Sequence, residues 1–91
     1  MALYKVVLDK RVRKKDLPGV PAKDRARIVA RIARLAEDPY SVDSTQLKGR
    51  LERRVRQGNY RILYVVDEAV ITAIVVKVGH RREVYRSGIN R

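Results

Sequence analysis

Apolar and polar positions change their period along this chain, and each change marks an element. Leu3 to Leu8 is apolar and β-branched, interrupted by Lys5, and predicts a first strand. Asp9 stands before Lys10-Arg11-Val12-Arg13-Lys14-Lys15, which predicts a short helix with a thin apolar face and Asp9 as its N-cap. Leu17-Pro18-Gly19-Val20-Pro21 is a breaker cluster. Ala22 to Glu37 then carries the clearest helical period. Ile28, Ile32 and Leu35 fall at i, i+4 and i+7, Val29 and Ala36 widen the stripe, and Arg27, Arg31 and Arg34 take the solvent side. Pro21 fits the first turn and Asp24 complements the helix dipole. Asp38-Pro39 stops the helix, and Pro39 to Gln46 is a polar connection.

From Arg53 the period falls to two. Arg53-Arg54-Val55-Arg56 alternates, passes Gly58-Asn59, and resumes as Tyr60-Arg61-Ile62-Leu63-Tyr64. Two alternating runs about a tight turn predict a β-hairpin, with Val55 toward a core and Arg54 and Arg56 on the other face. Arg53 shares the parity of Val55, so its stem packs and its head reaches solvent. Tyr60 and Tyr64 share a parity and read as core. Val65 to Ala69 turns the chain again. Val70 to Val78 is almost unbroken apolar sequence, which predicts a central strand buried on both faces and ended by Gly79. Two helices followed by three strands in hairpin succession define an α+β fold, helices on one face of an antiparallel sheet.

The charge balance changes what that fold is for. In 91 residues there are 22 Lys and Arg against 10 Asp and Glu, a formal charge of +12. Such a field favours a polyanion, nucleic acid first. The length predicts a single domain over residues 1–91. With no cysteine, disulfides and thiolate metal sites are excluded. No signal-peptide pattern and no bilayer-spanning apolar run is present, so a cytoplasmic protein without a membrane partner is expected.

The chemistry is bounded as tightly. No carboxylate cluster suits Mg²⁺, no Cys/His group suits Zn²⁺, and there is no Gly-rich phosphate loop. Neither metal nor cofactor is expected. An enzyme built from this chain works with Arg, Tyr and its one histidine, His80. That set suits RNA, which carries its own nucleophile in the 2′-hydroxyl. Arginines neutralise the developing charge, and Tyr or His orients or moves protons. Two stretches supply the groups: the hairpin with Arg54, Arg56 and Arg61, and the segment after the last strand with His80, Arg81, Arg82 and Tyr85. In an antiparallel sheet the last strand lies beside 60–64, which brings them together. The basic run that includes Lys14 and Lys15 is either a solvated helix face or a grip on ribosomal RNA.

R-x-R-x-G-N-Y-R-I-L-Y at 54–64, an apolar strand, and V-G-H-R-R-E-V-Y-R at 78–86 resemble the RelE branch of the RelE/ParE toxin superfamily. The resemblance covers nearly the whole chain. It implies a compact, microbial-ribonuclease-like fold, two N-terminal helices packed on a four-stranded, mostly antiparallel sheet. It implies the toxin of a type II toxin–antitoxin system, a metal-independent endoribonuclease that cuts mRNA in the ribosomal A site by 2′-OH attack. Its partners would be the ribosome, mRNA and a RelB-like or other type II antitoxin. By the same resemblance Arg61 is the transition-state arginine, Arg81 stands at the leaving oxygen, Tyr85 orients the 2′-OH, and Arg54 neutralises charge. Arg56, His80, Arg82, Lys14 and Lys15 are the expected RNA contacts. Glu52 departs from the pattern, since some relatives carry lysine there, and it leaves the proton acceptor open. The rival readings are a ParE-like gyrase poison on the same fold, and a non-catalytic basic RNA-binding module descended from a toxin.

Overall fold

The computed structural model describes residues 3–82. Strand β1 (Lys5–Leu8) is followed by a π-helical turn (Val12–Asp16), helix α1 (Ala22–Ala33) and a 3₁₀ turn (Arg34–Ala36). Strands β2 (Thr45–Gln46), β3 (Arg53–Gln57), β4 (Tyr60–Asp67) and β5 (Thr72–His80) complete one sheet in the order β1-β5-β4-β3-β2. β1 runs parallel to β5, and the other neighbours are antiparallel.

The α+β class and the mostly antiparallel sheet stand as expected, and the element count does not. One main helix and a five-stranded sheet replace two helices on four strands. The run at 10–15 offers only Val12 to the core, and its other side chains are exposed, so it closes as a single π-helical turn. The fifth strand is two residues of polar sequence at the sheet edge, where no apolar alternation announces a strand. Pro21 takes the N-cap position rather than the first turn, and α1 tightens into the 3₁₀ turn before Glu37. β5 runs through Gly79 to His80. It starts at Thr72 because Val70 and Ile71 lie exposed in the preceding turn.

The main core cluster lies on one sheet face, while Leu63 is fully buried on the other. Ile28, Ile32 and Leu35 of the helical segment, with Val12, Leu17 and Val20, pack on Val55, Ile62, Tyr64, Ala73, Val75 and Val78. Val6 and Leu8 of β1 join them. Each such burial stabilises by about 1.5–3 kcal/mol. The helix corrects the expected stripe: Val29 is exposed, whereas Arg31 is 3% exposed. Arg31 Nη2 donates to both Asp43 carboxylate oxygens at 3.0 Å and to Ser41 Oγ at 3.2 Å. A buried guanidinium survives because it is matched. The Ser41 hydroxyl, then Arg31, holds the Asp43 carboxyl below its usual range.

At the sheet end away from the hairpin turn, Tyr4 and Tyr40 both donate to the Glu68 carboxylate, and the Arg53 guanidinium lies 5.1 Å over the Tyr40 ring. Arg53 is half-buried, and its head, expected to reach solvent, is held instead by Tyr40 and by Ser44, whose Oγ accepts from Nε at 2.8 Å. The bond to Glu68 pushes the Tyr40 phenol from 10.0 up to about 12. Nearby, the buried Tyr64 hydroxyl donates to the Pro39 carbonyl at 2.5 Å, fixing the chain after the helix.

Tyr64→Phe is expected to destabilise the fold by about 1–2 kcal/mol, because it strands a buried carbonyl. The melting midpoint should fall by roughly 4–8 °C per kcal/mol; an unchanged midpoint would refute the role given to that bond. A second prediction concerns alkali. Tyr40's folded pKa lies above its unfolded value, so its contribution is whole below pH 10.0 and is lost as pH rises toward about 12. Glu68→Gln should flatten this part of the decline in denaturant midpoints measured between pH 9 and 11.5. Parallel curves for the two proteins would refute it.

Candidate nucleic-acid interface

The hairpin folds because its turn chemistry and its alternation agree. Gly58 has φ +61°, and no positive φ occurs at Asn59. A turn with the left-handed residue first is of type II′, which matches the twist of paired strands. Gln57 and Tyr60 close the hairpin, and Arg56 stands directly across from Arg61. On the far side of β4, Arg61 is in register with Gly79 and Tyr60 with His80. The Arg81 N–H donates to the Asn59 carbonyl at 2.9 Å, carrying the pairing one residue past β5.

That bond fixes which pairs are close. Asn59, and hence Arg61, turns its backbone toward β5, so Arg56 and Arg61 form a non-hydrogen-bonded pair, with Cα atoms roughly 4.5 Å apart. Their side chains leave the same face of the sheet. Arg54, across from Leu63, belongs to that face as well. It is the face opposite α1, because Val55 and Ile62, one step along each strand, are in the core that α1 covers. Arg56 is exposed, and Arg54 and Arg61 are half-buried. The register thus sets two arginines directly across neighbouring strands. The guanidinium of each presents a planar fork of donors suited to phosphate.

The remaining predicted residues fall in three places. Arg81 is exposed, two residues beyond Gly79, diagonal to Arg61 across the β4–β5 pair. Arg82 follows it, also exposed. His80 belongs to the opposite face: it is in register with Tyr60, its ring meets the Tyr60 ring edge-on at 5.8 Å, and its Nδ1 accepts from the Arg82 N–H at 3.4 Å. Lys14 and Lys15 are exposed on the π-helical turn, and Lys15 lines a cleft together with His80. Tyr85 lies outside the described residues. The structure thus brings Arg54, Arg56 and Arg61 onto one face with Arg81 beside them, and places His80 and Lys15 around the edge from them.

Glu52 pairs with Arg50 at 3.4 Å, so its charge is met locally before β3 begins. The residue missed in the sequence is Lys77. Its ammonium lies 3.7 Å from the Asp16 carboxylate, whose other oxygen accepts the Val78 N–H at 3.0 Å. A lone lysine inside the apolar run 70–78 was the available signal. Among the described residues no group of three His, Cys, Asp or Glu side chains could hold a metal ion, and no helix is long and apolar enough to cross a membrane.

A family profile described as the ParE toxin of type II toxin-antitoxin system, parDE, matches residues 7–85. The chain belongs to this toxin family. Toxin RelG of Mycobacterium tuberculosis is 29% identical over 79 residues, covering 80% of this chain and 86% of that protein. The toxin–antitoxin complex RelBE2 from the same organism superimposes with a TM-score of 0.78 at 27% identity, over 87% of this chain and 99% of that one. The RelE of the RelB–RelE antitoxin–toxin complex from Methanococcus jannaschii gives 0.71 at 31% identity, over 90% and 98%. The RelE/ParE superfamily resemblance is therefore established, with a ParE profile and RelE-named relatives meeting on one fold.

Phosphate contact through the face opposite α1 would make its charges govern the salt dependence of any RNA binding. Arg54→Gln with Arg56→Gln should lower the slope of log K against log salt by about 1.4 on single-stranded RNA, 0.7 for each phosphate released. An unchanged slope in fluorescence-anisotropy titrations would remove this face from the interface.

Proposed function

We propose that this toxin is a RelE-type ribonuclease that cleaves mRNA at the ribosomal A site, without a metal, by attack of the RNA's own 2′-hydroxyl. The observation that carries the proposal is the pairing of Arg56 with Arg61 on the face opposite α1, with Arg81 tied by its backbone to the hairpin turn. Charge that develops on the phosphorane needs donors held in place before the reaction, and this is the largest catalytic contribution such a site can make. Arg61, half-buried on β4, takes the non-bridging oxygens. Arg81, at the sheet margin, takes the leaving 5′-oxygen. Arg54 and Arg56 hold the flanking backbone, with Arg82 beside them. Tyr85 orients the 2′-hydroxyl. Arg54 contributes charge and not basicity, since a guanidinium stays protonated. His80 faces the other way, which supports a role in RNA contact over proton transfer at the scissile bond.

The partners follow from the same surface. Relatives of this fold have been solved as RelB–RelE complexes, and a chain of charge +12 suits an acidic antitoxin segment when it is not on the ribosome. The site of action is the cytoplasm. The ParE profile supports one rival, a gyrase poison on the same scaffold. The two differ in their product: primer extension on mRNA after induction shows A-site cuts for the nuclease, and DNA damage without cuts for the poison.

Arg61→Ala with Arg81→Ala should reduce A-site cleavage by at least about 100-fold, the usual cost of one oxyanion donor, and should abolish growth inhibition. The far-UV spectrum and capture by the antitoxin should persist. Undiminished cleavage by the folded double variant would refute the assignment.

A further inference from the structure

β1 covers only part of its neighbour. It pairs with Thr72 to Val75, whereas β5 continues to His80. The outer edge of β5 from Val76 onward is met instead by the π-helical turn. Arg81 turns its N–H inward to Asn59, so strand alternation turns the amides of Val78 and His80 outward. Asp16 takes the Val78 N–H, and its other oxygen faces Lys77. The His80 amide is the next one along.

It opens on a cleft of about 290 Å³ lined by Lys15, Asp16, Tyr60, Lys77, Gly79 and His80. Asp16 is already engaged by Lys77 and by the Val78 amide, so its charge is matched within the wall. The donors that remain are the Lys15 ammonium, the His80 amide, the Tyr60 hydroxyl and the His80 ring. Since His80 Nδ1 accepts from the Arg82 N–H, Nε2 carries the proton and can donate even when the ring is neutral. Three side-chain donors and one backbone N–H on residues lining the cleft, with one matched carboxylate, suit a single tetrahedral oxyanion. Gly79 belongs both to this cleft and to the Arg56–Arg61–Gly79 row on the other face. One polyanion strand can therefore cross the β5 edge and engage both.

We propose that the cleft between the π-helical turn and the outer edge of β5 is a second phosphate site, which holds the RNA backbone away from the scissile bond through Lys15, Tyr60 and His80. The choice of RNA as the ligand rests on the function proposed above. The cleft's part in binding is separable from the chemistry.

The test is an amide-resolved NMR titration of the full chain with a 2′-O-methyl pentanucleotide, which lacks the nucleophile, and in parallel with inorganic phosphate. The oligonucleotide should shift the amides of Val78, Gly79 and His80, and should still do so in Arg54→Gln/Arg56→Gln. Lys15→Gln, on an exposed side chain that does not threaten folding, and Lys15→Gln/His80→Gln should weaken oligonucleotide binding several-fold. Loss of the Lys15 contact should lower the salt slope by about 0.7, one phosphate. Unmoved amides at 78–80, or an unchanged slope in both variants, would overturn the proposal. So would shifts produced by inorganic phosphate alone, which would make the cleft a free-anion site. Because nothing is cleaved here, an inactive Arg61→Ala/Arg81→Ala protein bears on the reaction and leaves this result untouched.

Discussion

The register between β4 and β5 is the constraint on which everything else rests. Tyr60 to Leu63 pair with His80 to Lys77, and Tyr64 to Asp67 with Val75 to Thr72. One residue, Val76, is left over at the bulge between them. That extra residue lets Val78 and His80 share a face with Val75 and Ala73, although their numbers differ in parity. Without it, Val75 and Ala73 would leave the core and lose their packing against Val6 and Leu8. A slip of one residue in the other direction would turn Ile62 outward and Arg61 inward. Burial of the apolar set thus determines where the guanidiniums stand.

The price of that arrangement is visible at Arg56 and Arg61. The two form a close like-charged cross-strand pair, and Val55, Ile62 and the type II′ turn hold the register that makes it. Local rules are broken in natural proteins mainly where a ligand restores the balance. The contrast with Arg31 is instructive. That arginine is buried deeper than any other described, yet it is matched by Asp43 and Ser41, so it is structural. Glu52 and Arg50 likewise settle each other before β3 begins. What distinguishes the candidate interface among the charges of a +12 protein is the register that sets Arg56 directly across from Arg61 on a sheet face, with Arg54 beside them.

The hairpin was legible because period-two alternation and a Gly-Asn turn are both short-range signals, and Arg54, Arg56 and Arg61 came with it. The contact of 60–64 with the last strand followed from sheet geometry. Arg31 was not legible. On a helical wheel it is three residues from Ile28 and beside Ile32, and only the fold of 38–44, which brings Asp43 over it, decides that it goes in while Val29 goes out. β2 had no apolar signal, since its pairing is a matter of backbone alone. The limit of the 10–15 helix was implicit in its one apolar residue. Gly79 reads as a breaker in sequence, whereas between Val78 and His80 its backbone is held by β4. The face to which His80 belongs depends on the bulge, and a bulge leaves no mark in an apolar run.

Family membership narrows the function without deciding it, because RelE-named and ParE-described proteins share this scaffold. The decision lies in side chains. β5 connects the possibilities physically. One strand supplies core residues Ala73, Val75 and Val78, sits beside Arg61 at Gly79, and lines the cleft through Lys77 and His80. Core packing and polyanion geometry are consequently not independent. A change that shifts the Val76 bulge would move His80 relative to Arg61 with no substitution at either, so the spacing between the arginine face and the β5-edge cleft is a property of the sheet.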